Sequence, residues 1–483
     1  MFGGKKTGFC LLFVLVWVLL VDFAESVIAD GLSGVTADKG KLLSITAAAL
    51  FSAVPEEFGH GEEGEDGPTK RPPSYVDHIR RIRRSVQSIM EELGPACVGR
   101  ACRMERSSFW KLHQILKPEL EGRSARRRHK QRKGAKNGTV PGPTRLSCAL
   151  RFFAGGRPED ISVAHGISHS AVHDSVWRVV DAANRTAALN INFPTSHLQQ
   201  RKIAHDFRTA SKADFDTCVG AIDCMLIWIE KPTEKSCRQA RCGSKKFYCG
   251  RKGKFGLTLQ GICDSNRKFM DVSLQHPAST SDFLAFTTSS ICAKLEREGF
   301  LEHGKVLFGD LACCNSRCMA TPYKSVKSGT KDACNFYHSQ LRISIECAFG
   351  QLVRRWGILR KALPATMSVA KVSCLVMCLC KLHNFCVEER LARVDGSDKI
   401  AQPTAQDQME IASAGGLRLD DSDEAGPEDL LGGGHRFSDV TEAQRVAFTR
   451  RRLGNEILPR EKLHLKVSTA GLQRPTPRTW QDN

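Results

Sequence analysis

The sequence predicts an α/β core, a mixed sheet flanked by helices, preceded by an all-α helix-turn-helix domain. Three stretches carry that expectation. Val219–Ile229 is an apolar run with β-branched side chains, the composition of a buried strand. Phe255–Cys263 and Phe269–Leu274 read as a hairpin turning at Asp264-Ser265-Asn266. Leu341–Trp356 carries Ile345, Phe349, Leu352 and Trp356 at offsets of four, three and four, one apolar helical face.

The remaining core elements follow in order. Ser281–Glu296 reads as helix, and Lys305–Phe308 as a short strand ending at Gly309-Asp310. Val372–Phe385 is a further apolar helix. Together these fill a domain over residues 215–390. Ahead of it, residues 142–195 read as three helices. Leu146, Leu150 and Phe153 mark the first. Glu159–His165 is the second, ended by Gly166. Ser168 then looks like the N-cap of a third, with Val172, Val176 and Val179 on one face. Helix, glycine turn, helix is the helix-turn-helix arrangement. It would offer His169, Ser170, His173 and Asp174 to a DNA groove. An ordinary helical bundle gives the same pattern.

The chain has 483 residues, a formal net charge of +19 and a pI near 9.3. Such an excess points to nucleic acid first and an anionic membrane surface second. The flanks divide by composition. Residues 1–26 hold a basic start and the apolar Phe9–Val21, which resembles a signal-peptide core and is short for a membrane span. Residues 27–71 include Glu56–Asp66, six acids without Lys or Arg, and read as a disordered acidic segment. A helical segment covers 72–122. Residues 123–141 are a basic arm, in which Arg126, Arg127, Arg128, Lys130, Arg132 and Lys133 are candidate phosphate contacts. An acidic, Gly-rich linker spans 391–435. Residues 436–483 hold a basic helix near Thr441–Leu453 and a tail.

There are 20 cysteines and no CxxC pair. Most sit in apolar runs, as Cys374, Cys378 and Cys380 do, and read as small buried hydrophobes of a reducing compartment. Cys237, Cys242 and Cys249 form the tightest loop cluster, a candidate zinc site with a histidine.

Asp223 is the one ionisable side chain inside its apolar run. Burying a lone carboxylate costs several kcal/mol unless it is paired, protonated or bound to a cation. The order of elements can bring Asp223, Asp310 and Glu346 together, with Arg342 one turn before Glu346. Clustered acids repel, and divalent magnesium or manganese relieves that repulsion with hard oxygen ligands. Two such ions can activate a water or a 3′-hydroxyl and stabilise a phosphodiester's leaving oxygen. Each acid also has a plainer reading. Asp310 could be a turn residue, and Glu346 a helix-surface partner of Arg342.

At these residues the sequence resembles the PIF/Harbinger transposases and the nuclease-like proteins derived from them. The resemblance runs from about Phe109 to Glu389 through ordered blocks: ALRFFAGG…ISVAHGISHSAV, GAIDC with IEKP, GRKGKFGLTLQGICD, HPASTSDFLAF, LFGD, TPY, NFYHSQLRISIECAFGQLVRRWGIL and KLHNF. It implies a ribonuclease-H-like core with an Asp-Asp-Glu site. Asp223, Asp310 and Glu346 are then both catalytic and metal-holding, with two magnesium or manganese ions, and Asp282 is a further acid near the metals. Ala278 stands where the family more often has Gly, and Leu-Ala-Cys-Cys follows LFGD in place of its usual small residue, Gly or Ala, and Tyr.

The resemblance also implies DNA as partner (transposon ends and a target site), a separate Myb-like DNA-binding protein, and a nuclear location with which the signal-like N-terminus conflicts. A homo-oligomer is a further expectation. In the loop region Arg251, Lys252 and Lys254 join His169, Ser170 and His173 as candidate DNA contacts. Two other functions compete: a domesticated, catalytically silent DNA- or partner-binding derivative, and a secreted cysteine-rich protein suggested by the N-terminus alone.

Overall fold

The computed structural model describes residues 82–122, 139–391 and 458–475, all within one compact unit, Ile79–Asn483. The first elements are α-helical. Helix α1 (Val86–Cys102) starts at the Ser85 cap and kinks at Gly94-Pro95, and α2 is Arg106–Gly122. The third, fourth and fifth helices are α3 (Gly142–Phe153), α4 (Pro158–His165) and α5 (His169–Arg185).

The α4–α5 corner is built as its residues dictate. Gly166 takes a left-handed φ of 60°, which ends α4. A Cβ there would collide with the Ile82 carbonyl. Ser168 then accepts the Ala171 amide at 3.2 Å and caps α5. Helix α6 (His197–Thr209) leads into the sheet.

Strand β1 (Cys218–Trp228) is central. After it come the short α7 (Glu234–Gln239), β2 (Tyr248–Cys249), β3 (Lys254–Cys263) and β4 (Phe269–Pro277). Helices α8 (Asp282–Thr287) and α9 (Ser290–Leu295) precede β5 (Val306–Phe308) and β6 (Met319–Ala320). The long α10 (Thr330–Arg355), α11 (Val369–Leu391) and α12 (Pro459–Thr469) complete the described chain.

The sheet is mixed and six-stranded. β3 pairs antiparallel with β1, β2 and β4, while β1 to β5 and β5 to β6 are parallel. A mixed sheet flanked by helices is consistent with the expected ribonuclease-H-like fold. Gly261, opposite Asp223 on β3, has a packing reason: a Cβ there would sit 3.1 Å from the Phe349 ring of α10.

One apolar cluster runs from the N-terminal helices through one face of the sheet into α10, α11 and α12. It holds Phe109, Leu146, Phe153, Ala221, Ile345, Trp356, Leu379 and Val467. A second cluster, with Val219, Ile222, Ile262, Leu307 and Met319, covers the other face under α8 and α9. The 23-residue α11 is apolar enough to cross a membrane and is mostly buried as a core helix.

Two elements differ from expectation, and a third lies outside the described residues. Ser281–Glu296 is two helices, because Ser289 caps a new one by accepting the Cys292 amide at 3.2 Å. Helix α10 begins at Thr330, well before Leu341, since its first turns pack Ala333, Cys334 and Tyr337 into the core. The expected helix at Thr441–Leu453 lies outside the described residues, as do residues 1–81, most of the basic arm and the linker.

Candidate active site

Asp223 and Asp310 meet through strand register. Ala221 on β1 pairs with Phe308, the last residue of parallel β5, so Asp223 and Asp310 each come two residues after that pair, and Asp310 acts on the Asp223 carboxyl. Alternation puts Asp223 on the face of Ala221, the face covered by α10. From α10, Arg342 donates from Nη1 to Asp223 Oδ2 at 3.3 Å and pairs through Nη2 with Glu346 Oε1 at 2.5 Å. The Arg342 and Asp223 side chains are 18 % and 19 % exposed, and Glu346 is 34 % exposed, the most accessible of the three.

The other contacts are local. Asp223 Oδ1 accepts the Cys224 amide at 2.7 Å. Asp310 Oδ1 accepts the amides of Ala312 at 3.0 Å and Cys313 at 3.2 Å, closing the turn after β5. Asp282 opens α8 beside the Cys224 thiol and feels Asp310 on one side and Arg251 and Lys252 on the other.

Arg342 alone does not balance Asp223, Asp310 and Glu346. Burial first, then Asp310, push the Asp223 carboxyl up to about 7, against the pull of Arg342. Burial and Asp310 likewise raise Asp282. The thiols of Cys224 and Cys313 are raised by burial and by these same acids.

A divalent ion suits this donor set in chemistry: hard carboxylate oxygens, too little positive charge, and Arg342 as a stand-in cation holding Asp223 and Glu346 together. As placed, the acids surround the guanidinium. Among the described residues no three His, Cys, Asp or Glu side chains are gathered closely enough to enclose a metal. The same finding corrects the zinc expectation for Cys237, Cys242 and Cys249, which are free thiols.

The candidate DNA contacts are spread over two surfaces. Arg251, Lys252 and Lys254 are exposed around β2 and β3, and the Lys254 ammonium lies 3.2 Å from the Trp228 ring centre. At the α5 N-terminus His169 and Ser170 are exposed. His169 Nε2 contacts Glu159 at 3.1 Å, and its ring stands 4.7 Å from that of His173. Ser170 meets the Ser168 hydroxyl at 3.1 Å. Asp174 pairs with Arg145 and Arg178, so this face is mixed in charge. Arg126, Arg127, Arg128, Lys130, Arg132 and Lys133 lie outside the described residues.

The KLHNF block has a role that residue reading missed. Lys381 Nζ is buried against the end of α5, donating to Asn184 O at 2.8 Å, Asn190 Oδ1 at 3.1 Å and Ala183 O at 3.3 Å. Asn384 bonds both backbone groups of Phe269, accepting its amide at 2.8 Å and donating to its carbonyl at 2.7 Å. Polar residues inside an apolar helix were the available signal.

Two comparisons with known proteins found matches. Residues 222–384 match the family model of the DDE superfamily endonucleases. The chain is 23 % identical over 261 residues to "Protein ALP1-like" of Arabidopsis thaliana, covering 50 % of this chain and 60 % of that protein. The chain thus spans less than two thirds of that relative's length. No solved structure matches. Both matches support the family resemblance read from the ordered blocks.

Proposed function

We propose, from a DDE superfamily endonuclease match that begins one residue before Asp223, that the chain is a divalent-metal-dependent DNA endonuclease of the PIF/Harbinger transposase type. The observation that carries this is the convergence of Asp223 and Glu346 on one guanidinium, with Asp310 beside Asp223 by strand register.

Asp223, Asp310 and Glu346 would hold the metal, and Asp282 would add charge at its edge. Bound there, one or two magnesium or manganese ions would acidify an attacking water and neutralise charge on the leaving oxygen. The chain's own groups do the rest. Arg251, Lys252 and Lys254 bind phosphates along the strand entering the site. The α4–α5 corner is the DNA-positioning module, with His169, Ser170 and His173 towards the groove and the basic arm on the flanking backbone. The boundaries 142–195 and 215–390 are the corresponding functional domains. Cutting at a transposon end frees a 3′-hydroxyl that attacks target DNA. A nuclear location, a Myb-like partner protein and self-association belong to this reading.

Incubating the full chain with terminal-repeat DNA and magnesium or manganese tests it. Strand cleavage that Asp223→Asn abolishes supports the reading, and cleavage that survives the substitution sinks it.

One observation favours a silent, domesticated derivative instead. Arg342 bridges Asp223 and Glu346, and the turn amides of Ala312 and Cys313 bond Asp310. Tight DNA binding with no metal-dependent cleavage would select that alternative.

A further inference from the structure

We propose that Arg342 is a built-in counter-ion that holds the carboxylates in the metal-free protein and must leave Asp223 and Glu346 before a divalent ion can load. This rests on the metal-site reading above.

An i,i+4 pair with Glu346 alone would be an ordinary helix-surface contact. Here the same guanidinium also spans from α10 to the central strand, reaching Asp223 across 119 residues of sequence. Its two terminal nitrogens serve the two acids separately, Nη1 to Asp223 and Nη2 to Glu346. The cation therefore lies between two of the groups that would hold a metal. Both cannot hold the same oxygens at contact distance.

Arginine stays protonated under any working condition, so it cannot leave by losing its charge. It can only move, and the partly exposed Glu346 side gives its long stem a way out. Removing it should bare the acids, raise the local negative potential and strengthen divalent binding. It should also weaken the metal-free fold, because the buried carboxylates lose their shared partner. A merely structural arginine predicts the reverse for affinity, since loosening the site would weaken metal binding.

The test is calorimetric titration of the full chain with manganese, without DNA, for wild type, Arg342→Gln, Arg342→Lys and Asp223→Asn, with thermal unfolding of each metal-free form. The expected result is about tenfold tighter manganese binding by Arg342→Gln. Its metal-free form should unfold at lower temperature, and manganese should restore much of the loss. Arg342→Lys, which keeps a charge but cannot fork to both acids, should fall between wild type and Arg342→Gln in both measurements. Equal or weaker binding by Arg342→Gln, with wild-type circular dichroism, would overturn the proposal while leaving the metal site standing. If wild type and Arg342→Gln both bind no manganese, the metal-site reading falls and the proposal with it. Should Arg342→Gln fail to fold, Arg342→Lys decides: a lysine cannot fork to both acids, so binding tighter than wild type supports displacement and binding equal to or weaker than wild type overturns it.

Discussion

Asp223 on the central strand and Arg342 on α10 stand 3.3 Å apart, oxygen to nitrogen, and Arg342 carries Glu346 with it. That pairing fixes which face of the sheet holds the candidate site. It also explains how an acid tolerates an apolar strand: it shares one cation and still lacks enough positive charge, so its carboxyl is held up at about 7 by burial and Asp310.

Divalent metal should therefore stabilise the fold. A ligand bound by the native state alone, at a hundredfold excess over its Kd, adds about 2.7 kcal/mol. Thermal unfolding with added manganese should show a raised midpoint, and Asp223→Asn should lose most of the gain. A midpoint indifferent to manganese in wild type counts against the site.

The loop before β3 should carry phosphate contacts. Replacing Arg251 and Lys252 with Glu should weaken DNA binding similarly for all sequences. The logarithmic salt dependence should become shallower by about one for each phosphate that the chain no longer neutralises. Fluorescence anisotropy across a salt series measures both, and an unchanged slope would place the DNA elsewhere.

Lys381 couples the end of α5 to the core helix α11 through three acceptors. Lys381→Met keeps the stem and strands those acceptors, at a cost of about 1–3 kcal/mol. Urea unfolding should read that loss. Wild-type stability in Lys381→Met would show that the amine contributes nothing net.

Much of this was legible in the sequence. The apolar run around Asp223 announced a strand, and the four-three-four spacing of Ile345, Phe349, Leu352 and Trp356 placed Glu346 at the edge of a packing stripe. Gly166 and Ser168 fixed the α4–α5 corner because one needs a left-handed φ and the other caps. What stayed hidden was long-range. Pairing of Ala221 with Phe308 sets the two aspartates side by side, and no local pattern encodes which strands become neighbours. The bonds of Lys381 and Asn384 were hidden for the same reason. The break at Ser289 had a local signal that was passed over: Thr287-Thr288-Ser289-Ser290 favours a cap over a helix interior.

His165 and His338 should each take stability away on mild acidification, against the raised Asp223 and Asp271 carboxyls, which add it over the same range. Burial is the main cause that pushes the His165 imidazole down to about 4 and the His338 imidazole down to about 3. Between those values and the usual 6.5, the unfolded chain binds more protons than the fold. The histidines' contribution is then full above about 6.5 and is lost as pH falls towards the folded values. The loss from each histidine is about 1.4 kcal/mol for every pH unit by which its folded value lies below the usual one. Denaturant unfolding at a series of pH values checks the direction. His165→Gln should be less stable at neutral pH and show a shallower slope, and an identical slope would remove His165 from the account.

The most direct measurement is cleavage of a duplex carrying a candidate terminal repeat by the purified full chain, with magnesium, with manganese and with chelator, beside Asp223→Asn, Asp310→Asn and Glu346→Gln. The account predicts metal-dependent cutting that leaves a 3′-hydroxyl and drops by about a thousandfold or more in each variant. Cutting that persists in chelator, or in Asp223→Asn at the wild-type rate, would contradict it.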